Sequence, residues 1–144
     1  MALTTPSRQA VRERIKDLIE TDITEFEVVH DHIPRSLEGF SPACTISSSG
    51  FAPGNQPYRY EYRFNIGIWI RRGLAAGVSS SEDTLDQLMV KVAQFQIDNA
   101  ADATLHILRI PVGQFSTTAY PVVDGTPYRV EFVIFECRPA VGVV

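Results

Sequence analysis

The chain has 144 residues, 44% of them hydrophobic and 21% charged, with a net charge of −4. That length supports one domain with a proper core, since a chain of this size buries roughly 70% of its unfolded surface. The excess of Asp and Glu (17) over Lys and Arg (13) argues against sequence-specific nucleic-acid binding as the main task, because neutralising phosphates takes a surplus of cations. The opening MALTTPSRQAVRERIKDL lacks the apolar segment of a secretory signal, and no run reaches membrane-spanning length. The expectation is a protein folded in a cytosol, with no membrane partner. Cys44 and Cys137 have neither a CxxC neighbour nor metal-ligand spacing, so both are expected as buried or half-buried thiols.

Residues 5–20 predict an amphipathic helix. Thr5 is placed to cap it, Pro6 fits the first turn, and Val11, Ile15, Leu18 and Ile19 form one apolar stripe. TEFEVVHDHIP (24–34) reads as a strand with Phe26 and Val28 on one side and Glu25 and Glu27 on the other. Residues 35–57, rich in Ser, Gly and Pro, read as a projecting loop or β-arm with a short strand around Cys44–Ser48.

The next segment, QPYRYEYRFNIGIWIRRG, alternates strictly. Tyr58, Tyr60, Tyr62, Phe64, Ile66, Ile68 and Ile70 share one side, while Arg59, Glu61, Arg63, Asn65, Gly67, Trp69 and Arg71 share the other. This predicts a central strand of ~43 Å at ~3.3 Å per residue, with Gly67 the candidate for a bend. Residues 79–99 predict a second helix, capped by Ser79 with Glu82 or by Ser80 with Asp83, and burying Leu85, Leu88, Met89, Val92 and Phe95 or Gln96. A strand over 103–112, a loop over 113–125 ending in the Asp124-Gly125 turn, and a last strand, TPYRVEFVIFECRP, complete the chain. The pattern is α+β: a single domain with a mainly antiparallel or mixed sheet, two helices on one face, and the arm 35–57 and loop 113–125 projecting.

The last strand repeats the words Pro-Tyr-Arg-x-Glu-aromatic from the central one. If the two strands are neighbours, Arg59, Glu61, Arg63, Arg129 and Glu131 form a cross-strand charge lattice, serving either as a solvated sheet face or as a face for a neighbour. Trp69 and Phe135 fall on the same nominal outer side, so an arm or another subunit is expected to cover part of it. His30 and His32 of the HDH word share a strand face, as a metal pair does, but the third ligand is lacking: His106 and scattered carboxylates form no motif. Arg71-Arg72-Gly73 with Arg109 is the one hint of a small basic patch. Neither a nucleophile elbow nor a phosphate-cradling glycine loop occurs. The expectation is no catalytic residue, no metal and no cofactor.

The order and lengths of these elements resemble the tail terminator (tail-completion, minor tail protein U-like) proteins of long-tailed bacteriophages. The likeness runs through the VRERIKDLIE helix, an early strand, the Ser/Gly-rich excursion, the YRYEYRFNIGIWIRR strand, the TLDQLMVKVAQFQ helix and the YRVEFVIFECRP strand. It implies a structural virion protein assembled in the host cytoplasm. Copies form a homo-oligomer, a hexameric ring through which DNA passes, that caps the tail tube, ends its polymerisation and meets the head-side connector. No catalytic residues come with the resemblance. In that role Phe40, Phe51, Phe115 and Tyr120 are expected as interface anchors, with Arg59, Glu61, Arg63, Trp69, Arg71 and Arg72 on the contacting face. The rival for the aromatics is folding back onto their own core. Other functions compatible with the residues are another neck or tail-tube protein, or a small enzyme or metal-binding domain using His30, His32 and His106.

Overall fold

The computed structural model describes residues 3–53, 60–72, 78–139 and 142–143. In chain order these form β1 (Leu3–Thr4), α1 (Arg8–Asp22), β2 (Val28–His30), β3 (Ala43–Pro53), β4 (Tyr60–Arg71), α2 (Val78–Asp98), β5 (Ile107–Arg109), β6 (Thr117–Ala119), β7 (Val122–Val123), β8 (Thr126–Arg138) and β9 (Gly142–Val143). The main sheet runs β2-β3-β4-β8-β5, with β6 and β7 also paired to β8; β1 and β9 form a separate antiparallel ribbon. All pairs in the main sheet are antiparallel except β2–β3, so the α+β architecture is mixed but mostly antiparallel.

Both helices bury one stripe against the same face. Val11, Ile15 and Ile19 of α1 and Leu85, Leu88, Val92 and Phe95 of α2 pack on Phe64, Ile66 and Ile68, the even positions of β4. Helix α1 begins later than the Thr5–Pro6 start expected from sequence, because Ser7 supplies the cap: its hydroxyl accepts from the Ala10 N–H at 3.0 Å. The expected Ser79 and Ser80 caps of α2, like Tyr58, Arg59 and Gly73, lie outside the described side chains.

Three expected strands differ in extent, and the expected loop 113–125 carries two short strands, β6 and β7, held by pairing with β8. The turn at 24–25 interrupts the alternation of 24–34, so the strand shrinks to β2 and the inward residues are Phe26 and Val29 rather than Val28. The strand expected around Cys44–Ser48 is longer, and ten residues of β3 register with β4. The 103–112 strand contracts to β5 because residues 100–106 wind into turns around Asp102. Its carboxylate accepts from the Thr104 and Leu105 amides at 3.0 and 3.2 Å and from Arg14 at 2.8 Å.

On the opposite face a smaller cluster holds Leu37, Ala43, Trp69, Tyr128 and Val130. The Trp69 indole N–H donates to Thr45 Oγ1 at 2.9 Å. Gly67 is not a bend: β4 pairs through it without a break, and the register shift sits in β3 between Ser48 and Gly50. Its role is clearance. A Cβ there would stand 2.6 Å from Thr45 Oγ1, 2.8 Å from Trp69 Nε1 and 2.9 Å from Phe132 Cε1, all closer than packed atoms tolerate.

Candidate interaction surfaces

The charged face is built by β4, β8 and β5. Odd positions of β4 stand opposite even positions of β8: Arg63 faces Glu136, and Arg71 faces Tyr128. The described charges of the two words therefore lie on opposite faces of the sheet, Glu61 on the Trp69 side and Arg129 and Glu131 on the helix side. This overturns the lattice expected of Glu61 and Arg63 with Arg129 and Glu131. Arg129 instead pairs with Glu82 of α2, and Glu131 accepts from Ser116 at 2.7 Å. The same parity puts Phe135 on the helix side, stacked on Phe95 with centroids 6.1 Å apart, not beside Trp69.

The lattice that does form has other members. Glu136 accepts from Arg63 at 2.7 Å and from Arg109 at 2.8 and 2.9 Å; Glu61 accepts from Arg138 at 2.6 Å, with Arg109 3.7 Å away. Glu136 is buried while Arg63 and Arg109 are about half exposed (50% and 54%), so each guanidinium keeps one side for water or a partner. The cluster borders a shallow depression of about 330 Å³ that Gly50, Phe51 and Ala52 line from the β3 side. The grouping of Arg109 with Arg138 and Glu136 is not legible in the sequence, because only the strand register brings them together.

Arg109 thus lies at the end of the sheet away from Arg71 and Arg72, and the four-residue basic patch does not assemble. Instead the Arg72 and Arg129 guanidiniums approach the Tyr120 ring, with centroid distances of 5.4 and 5.8 Å. Tyr120 is still mostly exposed, as are Phe51 and Phe115, the last at 94%. Phe40 is 40% exposed, and its carbonyl accepts from Tyr128 Oη at 3.3 Å. Phe51 stacks on Tyr60 and Tyr62 at 5.2 and 5.9 Å. Trp69, expected at a contact face, is buried by the protein's own outer cluster and is not a surface anchor. Sequence reading passed over further exposed apolar residues: Val112 and Val122 beside Phe115 and Tyr120, and Val90 and Ile97 on the outer side of α2. Helical spacing alone would have found the last two.

The histidines do not converge. His30 and His32 have ring centroids 5.5 Å apart at one sheet edge, and His32 Nδ1 lies 2.9 Å from Asp31 Oδ1. Burial, and then the neighbouring His32, pull the His30 pKa down. His106 sits before β5 at the opposite edge. Among the described residues no group of three or more His, Cys, Asp or Glu is placed to hold a metal. Cys44 and Cys137 are buried and free, on strands separated by β4. Burial raises both thiol pKa values, that of Cys137 to about 12.

No protein-family model matches the chain, and comparison with curated proteins yields no match.

Proposed function

We propose that this chain is a structural subunit of a long-tailed phage virion, a tail terminator. Its copies form a ring that caps the tail tube, stops its growth and offers the joining surface for the head-side connector. The observation that carries the reading is the distribution of apolar surface. On a domain with two closed cores, five large apolar side chains stay in water within the segments read from sequence as projecting, Phe40 and Phe51 in one and Phe115, Tyr120 and Val122 in the other, with Val112 just before the second. Clustered exposed apolar groups are characteristic of surfaces that meet partners. The ionic cluster fits the same role, because its three arginines exceed its two glutamates by one charge and Arg63 and Arg109 stay half exposed, open to a partner. On this reading the protein acts by surface complementarity and transforms no bound molecule.

The test is the assembly state of the purified protein, by mass photometry and negative-stain imaging, alone and mixed with tail tubes. Isolated rings that bind tube ends support a terminator. Filaments assign the chain to tube proteins, and a monomer that ignores tubes rejects the reading.

A further inference from the structure

The main sheet ends in two edges that no described backbone covers. Strand β2 pairs with β3 only over Ala43–Thr45, so Ile46–Pro53 is bonded to β4 on one side and has no described backbone partner on the other. At the far edge, β6 pairs with β8 and is exposed at all three residues. Strand β5, the neighbouring piece of that edge, is closed: the Leu108 N–H donates to Ala100 O, and Gln96 donates to Leu108 O.

Bare edges in natural proteins are normally guarded by charges, because an unguarded edge templates pairing with another chain. Neither of these two strands carries such a charge itself, although Arg12 of α1 reaches the first and donates to Ser48 Oγ at 2.9 Å. The longest stretches of the sequence free of Asp, Glu, Lys and Arg are residues 39–58 and 110–123, and they contain β3 and β6. The bulge at Ser48/Gly50 and Pro53 limit the first edge without charging it. Both edges also carry exposed aromatics, Phe51 on one and Phe115 with Tyr120 flanking the other.

We infer that β6 of one copy adds to the open edge of β3 on the next copy, continuing the sheet head to tail. The two edges lie on opposite sides of one sheet, so each needs a strand from outside the copy, and a second copy supplies both. The strand senses agree. Strand β4 is antiparallel to both β3 and β8, and β6 is antiparallel to β8, so β6 runs opposite to β3 and a continued sheet makes an antiparallel pair. Register places β6 level with Cys44, so reaching the middle of the open run takes a stagger of about five residues, ~17 Å along the strand. Stagger is what a sheet closing on itself requires. A two-fold pair of β3 edges would leave Phe115 and Val112 in water, whereas the head-to-tail contact engages both segments.

This inference rests on the ring reading, and cysteine cross-linking tests the two apart. Double variants combine Ser49→Cys or Ala52→Cys with Thr117→Cys or Thr118→Cys, all exposed positions, while mass photometry follows assembly without oxidation. The expected result is a covalent ladder under mild oxidation from at least one double variant and none from the single variants. Ala52→Lys or Thr118→Lys is expected to cut the assembled fraction at least tenfold while leaving the melting temperature unchanged. Rings without cross-links, with both lysine variants still assembling, overturn the edge pairing and leave the ring reading standing. Cross-linked dimers from Ser49→Cys or Ala52→Cys alone overturn it in favour of a two-fold pair. A protein monomeric at every concentration overturns both.

Discussion

Arg63 and Glu136 stand directly opposite each other on β4 and β8, and their side chains meet at 2.7 Å. Arg109 closes on the same carboxylate from β5, so one buried glutamate ties three strands. Removing one partner of a fully buried pair costs about 3–5 kcal/mol, whereas an exposed pair contributes about 0–1. With both arginines half in water, Glu136→Ala is expected to cost about 1–2 kcal/mol, and Glu136→Gln, which still accepts hydrogen bonds, less. Urea unfolding reads this as a lower midpoint at unchanged slope. A wild-type midpoint for the alanine variant would show the cluster to be surface decoration.

Gly67 supports a second test. Gly67→Ala is expected to cost about 1–3 kcal/mol, the range for forcing a methyl group into a packed site. Its effect is local, because the new Cβ displaces the indole from Thr45. Trp69 is the only tryptophan, so its fluorescence reports the displacement directly. An unshifted spectrum with unchanged stability would reject the close approach.

The contrast between these two sites shows what period-two reading can reach. The even positions of β4 declare the helix-side core because one face of a long strand is apolar without interruption, and α1 and α2 announce their stripes in the same way. Register is not written in either strand alone. Whether Glu61 meets Arg129 or Arg138 depends on which residue of β8 stands across from it, and that is fixed by the whole sheet. Strand β3 was legible only in part because Ser47, Ser48, Ser49 and Gly50 have the composition of a loop. Their conformation is imposed by ten-residue pairing with β4, not by local propensity.

Asp102 links acid stability to the turn before β5. The hydrogen bond from Arg14 holds its carboxyl pKa below the usual value, aided by the Thr104 and Leu105 amides and opposed by partial burial. A depressed folded-state pKa means that the contribution is fully present above the unfolded value, about 3.9, and is lost as pH falls through the folded one. Asp102→Asn is therefore expected to lower the unfolding midpoint at pH 7 and to flatten the decline of stability below about pH 4. Equal losses at pH 7 and at pH 2 would place the effect of the substitution elsewhere than the charge.

The two thiols are expected to be silent in the folded protein. Both are buried with raised pKa values, so little thiolate forms near neutrality. Cys44 stands opposite Ile68 and Cys137 opposite Tyr62, an offset of ~20 Å along β4 that no disulfide spans. Labelling with a thiol reagent at pH 8 should follow the rate of unfolding and reach both cysteines together in denaturant. Rapid modification of either one under native conditions would contradict the burial.

The exposed aromatics separate folding from assembly most cleanly. Phe115 contributes almost nothing to the core, being nearly as exposed as in an extended chain, and Phe51 stacks only at the edge of the Tyr60–Tyr62 ladder. Phe115→Ala and Phe51→Ala are therefore expected to shift monomer stability by no more than about 0.5 kcal/mol, the usual range for surface substitutions. Tyr120→Ala loses its contact with Arg72 and Arg129, at most about 1 kcal/mol at an exposed site. If these rings are contact anchors, the same three substitutions reduce assembly far more than they reduce stability. The comparison of melting temperature with assembled fraction reads that difference directly. Parallel loss of both quantities would mean that the side chains serve the fold. Loss of neither would place the partner surface on another part of the molecule, with the Val90–Ile97 side of α2 the next to substitute.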